Sequence, residues 1–348
     1  RAGLNNVVAG EESSVTATAA GAAYNDKNVA GANVVNYTGL ALTGTGAGNY
    51  SIASTAQGAG TITKRALTLG AVGAQSRTYD GTTSADTAKF RAALNNTVTG
   101  DSVTATATGA TYNSKDVATA NRIDYTGVAL AGADAGNYSL AATTAEGKGT
   151  ITRRTLTVGA VTAQTKTYDG TTSAKASEFH TTLKNVVAGE ENSVTATAAG
   201  AAYDDKNVAK AGKVNYTGVK LTGTGAGNYA ITDTAQGAGT ITKRALTVGT
   251  VAAQTKTYDG TTAADAAAFR ATLGNLVAGE ESSVAATAAG AAYNDKNVAA
   301  ANAVSYTGVA LTGTGAGNYS LAAATAQGAG TITKRALTLG EVTAQTKT

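Results

Sequence analysis

The 348-residue chain has no cysteine, no proline, no methionine, no tryptophan and a single histidine. At the usual frequency of about 5%, a chain of this length would carry roughly 17 prolines. Without cysteine there is no disulfide framework, no thiolate metal site and no cysteine nucleophile. One histidine excludes a polyhistidine metal centre and is a poor start for a hydrolase triad. Charged residues amount to 14%, well under the usual quarter. Disorder by composition also needs a high net charge, and 27 basic against 23 acidic residues leave only +4. No run of eighteen apolar residues offers a membrane span, and no signal peptide is recognisable. A chain that opens on Arg1 without methionine reads as a segment of something longer.

What is present is repetition. Thr-Tyr-Asp-Gly-Thr-Thr occurs with its tyrosine at Tyr79, Tyr168 and Tyr258, spaced 89 and 90 residues. Gly-Asn-Tyr recurs at Tyr50, Tyr138, Tyr229 and Tyr319, and a Thr-Ile-Thr-basic-Arg string surrounds Ile62, Ile151, Ile241 and Ile332. All 15 tyrosines belong to the pattern. Three per copy are spaced 13 and 13, as in Tyr112, Tyr125 and Tyr138. Length varies only between Tyr50 and Ile62 (or their counterparts) and in one turn. That turn, Gly100-Asp101-Ser102, is two residues longer as Gly189-Glu190-Glu191-Asn192-Ser193. Fixed spacings mark paired strands and variable ones mark surface turns. A period near 90 is domain-sized rather than solenoid-sized, which predicts beads on a string. The boundaries placed on the basic pairs (Lys64-Arg65, Arg153-Arg154, Lys243-Arg244, Lys334-Arg335) give copies at 1–64 (incomplete at its N-terminal side), 65–153, 154–243 and 244–334. Residues 335–348 then read as the first strand of a following copy, so that Arg1 and Thr348 are cuts through an array.

Within a copy the pattern is mostly β. Ser102–Thr108 alternates polar and apolar, the mark of a half-buried strand. The alternation changes parity at Thr38-Gly39, which predicts a bulge or bend, and again at each basic pair, which predicts a module junction with almost no linker. One stretch breaks the pattern: Asp265–Leu273 is alanine-rich with Phe269 and Leu273 four apart, as are Phe90/Leu94 and Phe179/Leu183. It predicts a short helix of two turns. The order β-β-α-β-β-β favours a β-grasp-like module. An immunoglobulin-like β-sandwich is the alternative if the phenylalanine segment is a strand. With few large aliphatics, each core must lean on tyrosine rings whose hydroxyls bond turn backbone.

Lys166-Thr167-Tyr168-Asp169-Gly170-Thr171-Thr172, followed by Gly227-Asn228-Tyr229 and Thr240-Ile241-Thr242-Lys243-Arg244, resembles the YDG/MBG-type repeats. Such repeats occur in the stalks of large bacterial surface adhesins and haemagglutinin-like proteins of two-partner secretion. The resemblance covers all four copies. It implies an extracellular, cell-surface, non-enzymatic stalk, with no catalytic residues to carry over.

Several sharper readings compete with plain structural ones. His180 stands where other copies have Arg91 and Arg270, with Arg1 equivalent, so a solvated surface position is expected. Asp80, Asp169 and Asp259 could serve calcium, but calcium needs six to eight oxygens and no Asp-x-Asp run accompanies them. A turn with glycine at positive φ is expected instead. The basic pairs are too far apart for a nucleic-acid patch and suit junction salt bridges or strand-edge protection. Asn36, Asn49, Asn137, Asn215 and Asn318 begin glycosylation sequons, yet Asn228-Tyr229-Ala230 keeps Asn-Tyr without the hydroxyl residue, which points to a structural Asn-Tyr. Asn25-Asp26-Lys27-Asn28-Val29 and its copies contain the residues of an isopeptide crosslink, though a polar turn explains them more simply.

The expectation is therefore a spacer: tandem β modules in a stiff filament that projects an adhesive region and supports cell–cell or biofilm adhesion. Ten-residue strands at about 3.3 Å per residue give a module on the order of 35 Å, and four modules span somewhat over about 100 Å. The expected partners are neighbouring repeats. Alternatively, the repeats themselves bind polysaccharide or other copies of the adhesin. No enzyme, catalytic residue, cofactor, metal site, nucleic-acid partner or membrane span is expected.

Overall fold

A computed structural model describes residues 3–347, so the Arg1 equivalence to His180 and the end at Thr348 lie outside the described residues. The described residues contain thirty-three strands, seven 3₁₀ turns and no α-helix. They divide into two compact units, one of residues up to Arg154 with Gly227–Tyr229, the other of Thr155–Ala226 with the residues from Ala230 on.

The fourth copy, in the second unit, shows how the sequence builds a repeat. One sheet has four strands in the order Gln254–Thr257, Thr325–Thr333, Ala303–Thr307, Gly290–Tyr293. The first pair is parallel and the others antiparallel. The opposing layer pairs Arg244–Val251 with both Ala271–Gly274 and Tyr319–Leu321, and pairs Ala285–Thr287 with Ala310–Thr312. Val251, Phe269, Tyr293, Val304, Tyr306 and Ile332 form one buried cluster contributed by both layers. This is a β-sandwich, and its core leans on tyrosine as the composition predicts. The hydroxyl of buried Tyr306 accepts a hydrogen bond from Gln254 Nε2 (2.8 Å), and its ring lies 4.7 Å from that of Phe269. Tyr216 and Tyr125 repeat the arrangement with Gln164 and Gln75.

The helix expected over Asp265–Leu273, and with it the β-grasp reading, is corrected. A 3₁₀ turn spans only Ala266–Ala268, its first amides held by the Asp265 carboxylate, which accepts from Ala267 N (2.8 Å). Phe269 is then extended (φ −58°, ψ 119°), and Ala271–Gly274 joins the sheet. A separation of four is even, so Phe269 and Leu273 satisfy a strand's alternation as well as a helix's turn. Two isolated helical turns gain too little to compete with an open sheet edge.

The parity change at Thr38-Gly39 is a change of sheet rather than a bulge. Val34–Thr38 pairs with Gly21–Tyr24, whereas Ala41–Thr43 pairs with Thr16–Thr18, and Gly39 makes the corner at φ +61°. Within the second unit, Lys243 alone separates Thr234–Thr242 from Arg244–Val251. Of residues 335–348, expected to be the first strand of a following copy, the described ones (335–347) lie in no strand. Strand order needs partners, and none of the described strands pairs with them.

Candidate functional site

Each Tyr-Asp-Gly motif ends a strand and turns sharply. In the fourth copy Asp259 Oδ1 accepts from Thr261 N (3.0 Å) and Thr261 Oγ1 (2.9 Å), and Gly260 takes φ +82°. Lys256 Nζ, three residues earlier, donates to the same Oδ1 (2.9 Å) and to the carbonyls of Thr261 and Ala263 (both 2.9 Å). The ammonium also stands 5.3 Å over the Tyr293 ring. The bond from Lys256, and then those from Thr261, hold the Asp259 carboxyl at about 2. Lys166 with Asp169 and Arg77 with Asp80 repeat the pairing. The cation these aspartates meet is one of the chain's own, held in a tight turn with glycine at positive φ.

The Gly-Asn-Tyr motif has a different task. In the second unit Tyr319 is 2% exposed, and its hydroxyl donates to Glu280 Oε2 (2.7 Å) while accepting from Val277 N (3.2 Å). Glu280 Oε1 accepts from the hydroxyl of Tyr168, the Tyr-Asp-Gly tyrosine of the preceding copy (2.6 Å). The two tyrosine rings meet edge to face with centroids 5.3 Å apart. Asn318 completes the contact: its Oδ1 accepts from Val208 N (2.9 Å) and its Nδ2 donates to Asn207 Oδ1 (2.9 Å). Tyr168, Asn207 and Val208 belong to one copy, and Glu280, Asn318 and Tyr319 to the next. The arrangement is a clasp between consecutive repeats.

The electrostatics match a clasp. Burial pushes the Tyr319 hydroxyl up to about 12, with the Glu280 contact adding to it. Tyr168 is raised by the same causes in the same order. Burial would raise Glu280, but the two hydroxyls and the Lys206 ammonium 4.0 Å away outweigh it and pull the carboxyl below its ordinary value. The first unit contains the same parts. Asn137 Oδ1 accepts from Val29 N (2.8 Å) and Asn137 Nδ2 donates to Asn28 Oδ1 (2.8 Å). Asn228 does the same with Val117 N (2.9 Å) and Asp116 Oδ1 (2.8 Å), and Tyr79 meets Tyr229 edge to face at 5.4 Å.

The sequence predicts a turn at Tyr-Asp-Gly and a structural Asn-Tyr at the other motif, and nothing in it showed that the two face each other. Nor did it show the acid between them, because the loop that carries it reads only as a turn of variable length. The signal was there: Glu11, Asp101, Glu190 and Glu280 each stand three residues after a valine and one after a glycine. Tyr50 and Tyr138 reach Glu11 and Asp101 as Tyr319 reaches Glu280 (2.7 and 2.6 Å).

The other weighed residues settle into plain roles. His180 is exposed, its Nδ1 3.1 Å from the Glu178 carbonyl. Arg65 and Arg244 do not make the junction salt bridges expected of the basic pairs. Their guanidiniums donate to the carbonyl and side-chain oxygens of Asn96 and Asn275, which hold positive φ of 74° and 69°. Asn137 and Asn318 spend both ends of their amides in the clasp, as does Asn228, which lacks a sequon. Lys206, in the turn that carries the crosslink residues, has a half-exposed side chain rather than a buried one. Among the described residues, no helix is long and apolar enough to cross a membrane.

The family model described as YDG domain matches the chain four times, at residues 1–57, 63–145, 152–236 and 242–326. No curated protein matches the chain. Among solved structures, the chain is similar to Drosophila N-cadherin EC1-4 (8% identity, 92% of each chain covered, TM-score 0.27). It is also similar to the protocadherin gammaB7 EC3-6 cis-dimer structure (9% identity, 92% and 93% covered, TM-score 0.25). A third likeness is to the I9-I11 tandem from titin (9% identity, 77% of this chain and 100% of that one, TM-score 0.25).

Proposed function

This chain belongs to the YDG domain family, and from that premise we propose that its four copies serve as a structural spacer, a stiff non-catalytic stalk segment of a secreted bacterial adhesin at the cell surface. The observation that carries the reading is the clasp. A chain meant to flex between modules would join them by polar linkers, and consecutive modules would share few contacts. Here one residue separates strands of adjacent copies, and a Tyr168–Glu280–Tyr319 hydrogen-bonded set with the Asn318 contacts ties them. The motifs that recur most strictly are thus those spent on holding neighbours, which suits a part whose task is to transmit position and force. The adhesive role and the extracellular setting rest on the resemblance of the motifs to adhesin stalk repeats.

Small-angle scattering of the chain tests the reading. A globule of 348 residues has a radius of gyration of about 20 Å. Strands of up to nine residues, as in Thr325–Thr333, set a repeat length of about 30 Å, so four repeats in line exceed about 100 Å. A maximum dimension above that value is expected. A radius near that of the globule would refute the spacer.

A further inference from the structure

Inside repeats a phenylalanine ring meets a tyrosine, as Phe90 meets Tyr125, Phe179 meets Tyr216 and Phe269 meets Tyr306. Across junctions tyrosine meets tyrosine: Tyr168 with Tyr319, and Tyr79 with Tyr229. Phenylalanine supplies packing alone; what a second tyrosine adds at the junction is a second phenol. In the second unit both phenols end on one carboxylate, Tyr168 on Glu280 Oε1 (2.6 Å) and Tyr319 on Glu280 Oε2 (2.7 Å). The ring carbons ortho to the two hydroxyls are thereby drawn to the same place. The rings stand edge to face at 79° with centroids 5.3 Å apart, which is direct contact.

The composition gives this pair a chemistry. Cysteine, methionine and tryptophan, the side chains that ordinarily yield to an oxidant ahead of or alongside tyrosine, are all absent. An oxidising equivalent that enters the chain therefore settles on tyrosine. A phenol gives up its electron readily only as its proton leaves, which needs a base within hydrogen-bond reach of the hydroxyl. Glu280 is such a base for both rings at once. Its side chain is 17% exposed, and a cavity of about 290 Å³ lined by Tyr168, Lys206, Glu280 and Asn318 gives the proton a way out.

We propose that Tyr168 and Tyr319 are a site of oxidative crosslinking, joined through their ortho carbons into a dityrosine that makes the junction between repeats covalent. The co-reactant is hydrogen peroxide activated by a haem peroxidase. The oxidised peroxidase takes one electron from each ring in turn, and each phenol proton leaves through Glu280 to water. The two phenoxyl radicals form one carbon–carbon bond. The hydrogen on each bonded carbon then moves to its phenol oxygen, which restores both rings. In sum, two electrons and two protons leave the pair and reduce one hydrogen peroxide to two waters. Electrons cross the thin cover of protein by tunnelling, so burial does not shield the rings, and it keeps the radicals from other reactants. A chain without cysteine has no disulfide with which to make such a tie. The proposal rests on the clasp geometry and not on the spacer reading.

Treatment of the full chain in dilute solution with hydrogen peroxide and a haem peroxidase, then tryptic digestion and tandem mass spectrometry, tests it. The expected product is the tryptic peptide 167–175 joined to the peptide 297–334 through Tyr168 and Tyr319, lighter than their sum by two hydrogens. Tyr168→Phe keeps the ring and should abolish that link. Glu280→Gln should lower its yield at least about tenfold, the least that loss of a positioned base costs. The Tyr79–Tyr229 pair of the first unit, in the same ring contact at 5.4 Å, is the internal control, and its link should persist in both variants. Absence of the Tyr168–Tyr319 link would overturn the proposal. So would a link no more abundant than chance pairings of the other tyrosines, or one that Glu280→Gln leaves unchanged.

Discussion

Replacing Glu280 by glutamine probes the clasp with the least change of shape. The carboxylate accepts two hydroxyl bonds, from Tyr168 at 2.6 Å and Tyr319 at 2.7 Å, and its side chain is 17% exposed. Hydrogen bonds to a charged group contribute about 1.5–3 kcal/mol each, roughly twice the neutral kind. Glutamine keeps one oxygen for one hydroxyl as a neutral acceptor and turns an amide NH₂ toward the other. Half of one bond and most of the second are lost, which comes to about 2 kcal/mol at the low end of the range. In a chain of several units a single unfolding midpoint would blur this, so a local reading is needed. Native-state hydrogen exchange supplies one, because Val208 N donates to Asn318 Oδ1 within the same clasp. If junction opening governs its exchange, 2 kcal/mol is about a 30-fold faster rate. Val117 N, held by Asn228 in the first unit, is the control and should not change. Unaltered exchange at Val208, or equal acceleration at both amides, would refute the reasoning.

Other outcomes follow from the same contacts. Tyr319, raised to about 12 by burial and Glu280, keeps its proton after an unfolded chain has lost it near the ordinary 10. Its contribution is therefore intact below pH 10 and lost as pH rises through 12, readable as late-titrating tyrosine absorbance and a falling unfolding midpoint. Glu280, pulled below its ordinary 4.5, contributes above that pH and loses the contribution as pH falls through the lowered value; Glu280→Gln should remove this acid limb. Gly170→Ala and Gly260→Ala both force alanine to a positive φ, but only at Gly170 would the new Cβ meet Val277 Cγ1 at 2.9 Å. Calorimetry should show the Gly170 variant losing more stability, by about 1 kcal/mol or more; equal losses would count against a packed junction. Phe269→Ala, removing a ring 1% exposed against Tyr306, should cost the fourth repeat about 3–5 kcal/mol by denaturant titration.

Much of this was legible in the residues. The 13-residue tyrosine spacing led to the tyrosine-based core because each interval crosses a whole strand and turn, which paired strands hold constant. The change of sheet at Lys243-Arg244 was legible because a strand that leaves one sheet and enters another must change parity. The phenylalanine segment was not, since a four-residue separation obeys helix and strand alike and only the open edge of Arg244–Val251 decides between them. The clasp was hidden for another reason. Tyr168 and Glu280 are 112 residues apart, and no periodicity within a repeat reports which face of it meets the next. The acid was further disguised by the change from glutamate to Asp101 in the shortest of the loops. The roles of Asn137, Asn228 and Asn318 were half legible, because Asn228 keeps its asparagine while losing the sequon.

The central claim is that consecutive repeats are held in one orientation by the clasp. Since the chain has no cysteine, spin labels can be placed cleanly at Lys220→Cys and Ala310→Cys. These are exposed, equivalent strand positions in the third and fourth repeats, both within the second unit. Pulsed electron–electron double resonance then reads the distance between the repeats directly. A single narrow distribution is predicted, broadening when Tyr168→Phe and Glu280→Gln are combined. A broad distribution in the parent sequence, or one that the two substitutions leave unchanged, would contradict the account.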